Sequence, residues 1–286
     1  MEQRKRNKLF NCILWGAAGL AGVFLVWGFW VEPNRLTVRR AVVTLPGLPE
    51  SMERCRAVLV ADTHFGSSFF EKMRRARIIK AVRAENPHIC FLLGDYIAAG
   101  SLPHYGAMKQ EDLLHFFRSL KAPLGCYAVL GNHELWYGRK KMTELLEKAG
   151  VRMIENHAVK LKEGLVFAGV PERATAPFDV RGFNLFLKKV KPHLVIGHKG
   201  DTLKYLALPP ETLMFAADTH GGQVRLPGVG GIYHLWYRKK ELPPGFSTRW
   251  GKGLFITSGA GGHRLNFRFL CPPEIAVVTF TGKNKI

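Results

Sequence analysis

The stretch Ala57-Val58-Leu59-Val60-Ala61-Asp62-Thr63-His64 decides how the rest of the chain is read. Its five apolar residues show no polar alternation, which suits a strand buried on both faces. The run then stops on Asp-x-His. Residues two apart on an extended segment point to the same side, so Asp62 and His64 can chelate one ion. The arrangement recurs along the chain. Residues 91–93 run into Gly94-Asp95, and 128–130 into Gly131-Asn132-His133-Glu134. Residues 195–196 run into Gly197-His198, and 214–217 into Asp218-Thr219-His220. In open α/β sheets the carboxyl ends of strands face the ligand crevice. Five strand ends would then bring Asp62, His64, Asp95, Asn132, His133, His198, Asp218 and His220 to one rim.

Further outward, short apolar runs occur at 89–93, 126–130, 165–169, 194–196, 213–217, 254–257 and 275–280. Helical patterns separate the early ones. Residues 71–85 carry Met73, Ile78, Ile79 and Val82 on one side and basic residues on the other. Residues 111–120 and 140–149 behave alike, and Gly150 ends the second. Strand–helix alternation predicts an α/β fold, with two packed sheets and outer helices.

Alone, each rim residue reads as an Asx turn, a helix cap or a surface histidine. Together they are a donor set of carboxylates and imidazoles, suited to Mn, Fe or Zn rather than Ca. No thiolate is among them, which disfavours a structural zinc site. The donors exceed the needs of one catalytic ion and fit two.

Taken in order, these blocks resemble the signature of the calcineurin-like metallophosphoesterases, DxH…GD…GNH(D/E)…H…GHxH. Ala168-Gly169-Val170-Pro171, Thr219-His220-Gly221-Gly222-Gln223 and Cys271-Pro272-Pro273-Glu274-Ile275 look like the membrane-anchored bacterial YaeI/YkuE-like branch. The likeness runs from about residue 56 to 280. It implies a four-layer α-β-β-α sandwich and a dinuclear metal centre. Asp62, His64 and His220 would hold the first ion, Asp95 would bridge, and Asn132 and His198 would hold the second. His133 would serve as general acid or phosphate ligand, with Glu134 orienting its ring. One position departs: Asp218 stands where GHxH has its first histidine, and Ala217 where it has glycine. A carboxylate still ligates, and its harder oxygen favours Mn²⁺. The cofactors implied are two divalent metal ions, Mn²⁺ preferred, with Fe²⁺ or Zn²⁺ as alternatives.

The implied activity is a metal-dependent phosphoesterase that hydrolyses a phosphodiester or pyrophosphate. The narrower expectation is a lipid-linked substrate, such as a UDP-diacylglucosamine-like pyrophosphate or a phospholipid. The alternatives are a nuclease of the same fold and a non-catalytic scaffold with a degenerate metal site. Nucleic acid is not the expected partner, and no obligate protein partner is expected. No GxxxxGK(S/T) loop and no Gly-x-Ser-x-Gly elbow occurs, which argues against a P-loop nucleotidase and a serine esterase.

The N-terminus differs from the remainder. Arg4, Lys5, Arg6 and Lys8 form a basic flank, residues 1–8, before the apolar stretch 9–31. At 1.5 Å per residue that stretch spans about 34 Å, enough to cross a bilayer. Trp15, Trp27 and Trp30 lie towards its ends, as interfacial aromatics do. Phe24 to Trp30 follows the small residues where a signal peptide would be cleaved, so a retained single-pass anchor is expected. Residues 32–53 read as a linker and 54–286 as the metallophosphoesterase domain. Basic residues slightly favour an inside N-terminus, with the catalytic domain on the extracytoplasmic side of the inner membrane.

Of 286 residues, 42 are Lys or Arg and 22 Asp or Glu, a net charge of +20. Such a domain near a membrane is drawn to anionic headgroups and phosphorylated substrates. The 47% apolar content excludes a disordered chain, and five scattered cysteines without a CxxC exclude a disulfide framework. Cys90 and Cys126 read as buried thiols. Within 221–253, Arg225, His234, Trp236, Tyr237, Arg238, Lys239, Lys240, Arg249, Trp250 and Lys252 mix aromatics with cations, either an exposed hairpin or a headgroup dock. The basic run 72–77 reads as a solvated helix face. Residues 259–263, with Arg264 and Arg268 after them, could border the site.

Overall fold

A computed structural model describes residues 2–66, 70–98, 108–173, 178–232, 242–262 and 266–282. Two six-stranded sheets pack face to face. The first comprises β1 (Thr37–Thr44), β2 (Arg56–Val60), β3 (Ile89–Leu92), β4 (Cys126–Ala128), β5 (Val151–Met153) and β14 (Glu274–Thr281), in the order β1-β14-β2-β3-β4-β5. The second comprises β6 (Ala158–Lys160), β7 (Val166–Gly169), β8 (Leu194–Lys199), β9 (Leu213–Ala217), β12 (Gly245–Arg249) and β13 (Lys252–Ile256), in the order β12-β13-β9-β8-β7-β6. A small hairpin, β10 (Arg225–Leu226) and β11 (Gly230–Gly231), stands apart.

The period of two along each strand divides the core into three slabs. Leu59, Phe91, Tyr127, Phe167, Phe215 and Phe255 meet between the sheets. Val58, Val60, Cys90 and Leu92 face the other way. They pack on α2 (Glu71–Ala84), α3 (Gln110–Ser119) and α5 (Arg139–Lys148) through Ile78, Val82, Leu113, Phe117 and Leu146. On the second sheet, Val195, Met214 and Ile256 pack with Phe183 and Leu187 of α6 (Val180–Val190). The result is the expected α-β-β-α sandwich. Both faces of the central strands are covered, which is why they read as continuous apolar runs.

Two features depart from the sequence reading. Residues 32–53 are not a plain linker. They contain β1, which pairs parallel with β14 from Thr37↔Glu274 to Thr44↔Thr281. Its pattern is mostly half-buried, and Arg39 and Arg40 interrupt it, as charges do on edge strands. Arg39 Nε donates to Glu274 Oε2 at 2.8 Å, and Arg40 pairs with Glu85. The basic run 72–77 is also not wholly solvated, because Arg74 of α2 is buried.

The apolar helix α1 (Glu2–Val26) continues through a π turn, Trp27–Val31, and a 3₁₀ turn, Glu32–Asn34. Together they are long and apolar enough to cross a membrane. Nothing in Glu2–Val26 is buried by the protein, whereas Gly28, Glu32 and Pro33 are.

A chain begun at residue 54 therefore lacks a ladder strand and the buried Val43 and Leu45. Compared with a chain begun at residue 35, it is expected to melt roughly 10 °C lower, or not to fold; about 1 kcal/mol shifts a domain of this size by 2–4 °C. Equal melting temperatures would show that β1 is dispensable.

Candidate metal centre

The site lies at the carboxyl ends of β2, β3, β4, β8 and β9, where each chain leaves its sheet. The exits require unusual backbone. Asp62, His64, Asp95, Asp218 and His220 all have left-handed φ, between 41° and 71°. Non-glycine residues rarely adopt such values, and strain of this kind collects at functional sites. Loops also approach closely. A Cβ on Gly131 would lie 2.1 Å from Asp95 Oδ1, and one on Gly94 would lie 2.4 Å from the Gly131 nitrogen. Glycine at both positions brings the second and third loops into contact.

Asp95 is central. Its Oδ2 lies 3.4 Å from His198 Nε2, 3.5 Å from His64 Nε2 and 3.9 Å from His133 Nε2. Its Oδ1 accepts the His133 backbone N–H at 2.9 Å. His64 Nε2 and His220 Nε2 face one another at 3.1 Å. Three sets have ligand atoms within 4.8 Å of one another: Asp62, His64 and His220; His64, Asp95 and His133; Asp62, Asp95 and His198. Asp218 Oδ1 lies 3.4 Å from His198 Nε2, at the more exposed side. His198 Nδ1 bonds the Leu93 carbonyl at 2.7 Å, which aims Nε2 into the cluster. Asn132 is half-buried between Gly131 and His133, and its carbonyl accepts the Leu135 N–H.

Burial and mutual proximity shift the protonation of these groups in opposite directions. Burial holds the Asp62 carboxyl well above the usual range, and the neighbouring Asp95 and Asp218 charges add to this against His198. Burial also pushes Asp95 upward, but His198, His64 and His133 outweigh it and hold Asp95 well below. For His198, burial lowers the imidazole while Asp95 and Asp218 prevail and raise it. Asp62 Oδ1 is buried without a hydrogen-bond partner. A buried carboxylate oxygen of this kind is suited to coordinating a metal ion. The donor chemistry and this orphaned oxygen fit divalent metal ions.

Glu134 has a different role from the one expected. Its carboxylate accepts the backbone N–H groups of Asp95 at 2.9 Å, Tyr96 at 2.8 Å and Gly131 at 2.7 Å, and it does not hold the His133 ring. It pins the second loop to the third. Burial, with the Asp95 charge adding, raises this carboxyl to about 7. The His133 ring lies instead edge-on to His64 and Trp136, with centroids 4.4 and 5.3 Å apart.

Two arginines act as further pegs. Arg74 Nη2 donates to the His64 carbonyl at 3.1 Å. Arg268, wholly buried, donates to the carbonyls of Ser258, Gly261 and Cys271 at 2.5–3.1 Å, with the His220 carbonyl 3.4 Å away. The loop it gathers closes on the first motif, since a Cβ on Gly259 would lie 2.5 Å from Asp62 Cβ. Single arginines among many in a basic chain give no periodic signal of such a role. Of the mixed cation–aromatic stretch, His234, Trp236, Tyr237, Arg238, Lys239 and Lys240 lie outside the described residues, as do His263 and Arg264.

The calcineurin-like phosphoesterase family pattern matches residues 55–226, and the chain belongs to that family. An uncharacterized metallophosphoesterase of Aquifex aeolicus is 30% identical over 264 residues, covering 88% of this chain and 95% of the relative. The UDP-2,3-diacylglucosamine pyrophosphatase LpxG of Chlamydia trachomatis is 22% identical, over 88% of this chain and 92% of its own length. The phosphodiesterase YaeI of Escherichia coli is 26% identical, over 78% and 81%. The chain is therefore a metallophosphoesterase, a hydrolase of a family that uses divalent metals.

Replacing Glu134 by Ala leaves three buried N–H groups without an acceptor, at roughly 1 kcal/mol or more each. Urea unfolding is expected to show a loss of about 3 kcal/mol for Glu134→Ala and less for Glu134→Gln, which keeps one acceptor oxygen. A loss under about 1 kcal/mol for the alanine variant would mean the loops are held by other contacts.

Proposed function

We propose that the chain hydrolyses a phosphodiester or pyrophosphate bond of a lipid-linked substrate at a dinuclear metal centre. The observation that carries the reading is the overlap of the three donor sets, in which Asp62, His64 and Asp95 each belong to two. Asp62, His64 and His220 would hold one ion, His198, Asn132 and Asp218 would hold the other, and Asp95 would serve both. Mn²⁺ is the preferred metal because Asp218 adds a hard oxygen donor. Such a pair supplies Lewis-acid charge and an acidified water for in-line displacement at phosphorus.

The chain's own residues do the rest. Asp95 accepts the His133 N–H and so fixes the start of that loop against the ligand cluster. His133 protonates the leaving oxygen, a contribution of roughly 10²–10⁴-fold for general acids. Leu135 and Trp136, both exposed and directly after His133 and Glu134, offer apolar surface to the leaving group. The LpxG relative, named for a lipid-linked pyrophosphate, supports this substrate class. The burial of Gly28 and Glu32 supports an anchor that stays with the domain. We place the protein in the cytoplasmic membrane as a single-pass protein, with its catalytic domain on the extracytoplasmic side.

The test uses the full-length chain in detergent, stripped of metal and reloaded with Mn²⁺. It is expected to hydrolyse bis-nitrophenyl phosphate, with Asp95→Asn slower by about 100-fold or more at an unchanged fold. His133→Ala is expected to slow alkyl esters far more than nitrophenyl esters, because a good leaving group scarcely needs a proton. No metal-dependent hydrolysis by the wild type, or full turnover by Asp95→Asn, would overturn the reading.

A further inference from the structure

The end of the apolar helix is locked into the domain. Phe24 packs against Phe269 and Phe267, with ring centroids 4.7 and 5.4 Å apart, and Phe29 against Phe267 at 4.8 Å. Gly28 leaves room for this contact, since a Cβ there would lie 2.1 Å from the Phe267 ring. The Gly28 carbonyl accepts the Arg268 N–H at 2.9 Å, and buried Glu32 accepts the Cys271 N–H at 2.6 Å. The helix therefore fixes the domain's orientation rather than tethering it loosely.

That orientation sets a depth. Phe24 precedes Val31, the last residue of the apolar stretch, by seven positions. At 1.5 Å per residue, contacts with Phe24 lie about 10 Å inside the end of that stretch. A loop at such a depth must present apolar side chains, and this one does. Leu270 is half exposed. Beside it, the β10–β11 hairpin carries the exposed Leu226 and Val229, and the three line one shallow hollow. The hairpin is tied to the same loop: the Arg225 N–H donates to the Phe269 carbonyl and the Phe269 N–H to the Gln223 carbonyl, both near 3 Å. The Arg268 charge is shielded, wholly buried among carbonyls.

We propose that Leu226, Val229 and Leu270 form a membrane-docking surface that enters the lipid leaflet beside the anchor. Its occupant is the bilayer, because the surface is continuous with the helix that spans it. The inference rests on the membrane-bound reading above and extends it to the presentation of substrate. Leu226 follows His220 by only six residues, a span of about 20 Å at most even when fully extended. Docking therefore holds the His220 loop near headgroup level, where a lipid-linked phosphate lies.

The test uses full-length protein in vesicles of phosphatidylethanolamine and phosphatidylglycerol. Exposed Cys12 is replaced by serine, and an environment-sensitive fluorophore is placed at Val229→Cys or, as a control, at exposed Glu211→Cys. The Val229 label is expected to shift to the blue and to be quenched by spin-labelled lipids, and the Glu211 label is not. A second arm compares wild type with the Leu226→Asp, Val229→Asp double variant. Hydrolysis of soluble bis-nitrophenyl phosphate should stay within about twofold, while hydrolysis of a bilayer-embedded phospholipid or lipid pyrophosphate falls about tenfold or more. A Val229 label that stays solvent-like, or whose shift follows protein-to-lipid ratio as expected for a second copy, overturns the proposal. Failure of the wild type on every phosphoester would instead defeat the proposed activity, with lipid quenching still deciding the docking.

Discussion

Two carboxylates, Asp62 and Asp95, are buried together with His64, His133, His198 and His220 around them, and the rest of the architecture serves that crowding. Like charges at such spacing repel and lose their hydration, and cations between them would offset both costs. The sandwich supplies rigid strand ends, and the loops that leave β2, β3 and β9 turn through left-handed backbone at Asp62, Asp95 and Asp218. Glu134 and Arg268 then hold the loops through main-chain groups, which leaves the donor side chains to face the metal.

This division explains what could be read from the sequence. Strands β2, β3, β4, β7, β8, β9, β13 and β14 coincide with short apolar runs, because covering layers on both faces leave no place for polar residues. The donors were legible for a related reason: each follows such a run directly. Edge strands gave weaker signals. β1 is half exposed and carries Arg39 and Arg40, so its residues resemble a linker until β14 is beside them. The α6 helix was not among the expected helices, although Phe183 and Leu187 anchor it. The roles of Glu134, Arg74 and Arg268 depend on backbone groups brought together by tertiary folding. No side-chain pattern announces a carboxylate that accepts three N–H groups from loops up to 39 residues away.

The same long-range logic joins the apolar N-terminal helix to the site. Glu32 meets the Cys271 N–H across 239 positions, and Arg268 extends that contact to the loops around Asp62 and His220. A helix that composition reads only as an anchor thus shares a buried network with the metal-binding loops. The placement of the N-terminal helix and the geometry at the cluster are set by one continuous set of contacts.

The most direct measurement is anomalous diffraction from crystals of the full-length chain loaded with Mn²⁺. The expected result is two peaks, one among Asp62, His64 and His220 and one against His198 and Asp218, with Asp95 between them. A single peak, or peaks away from Asp95, would contradict the dinuclear centre.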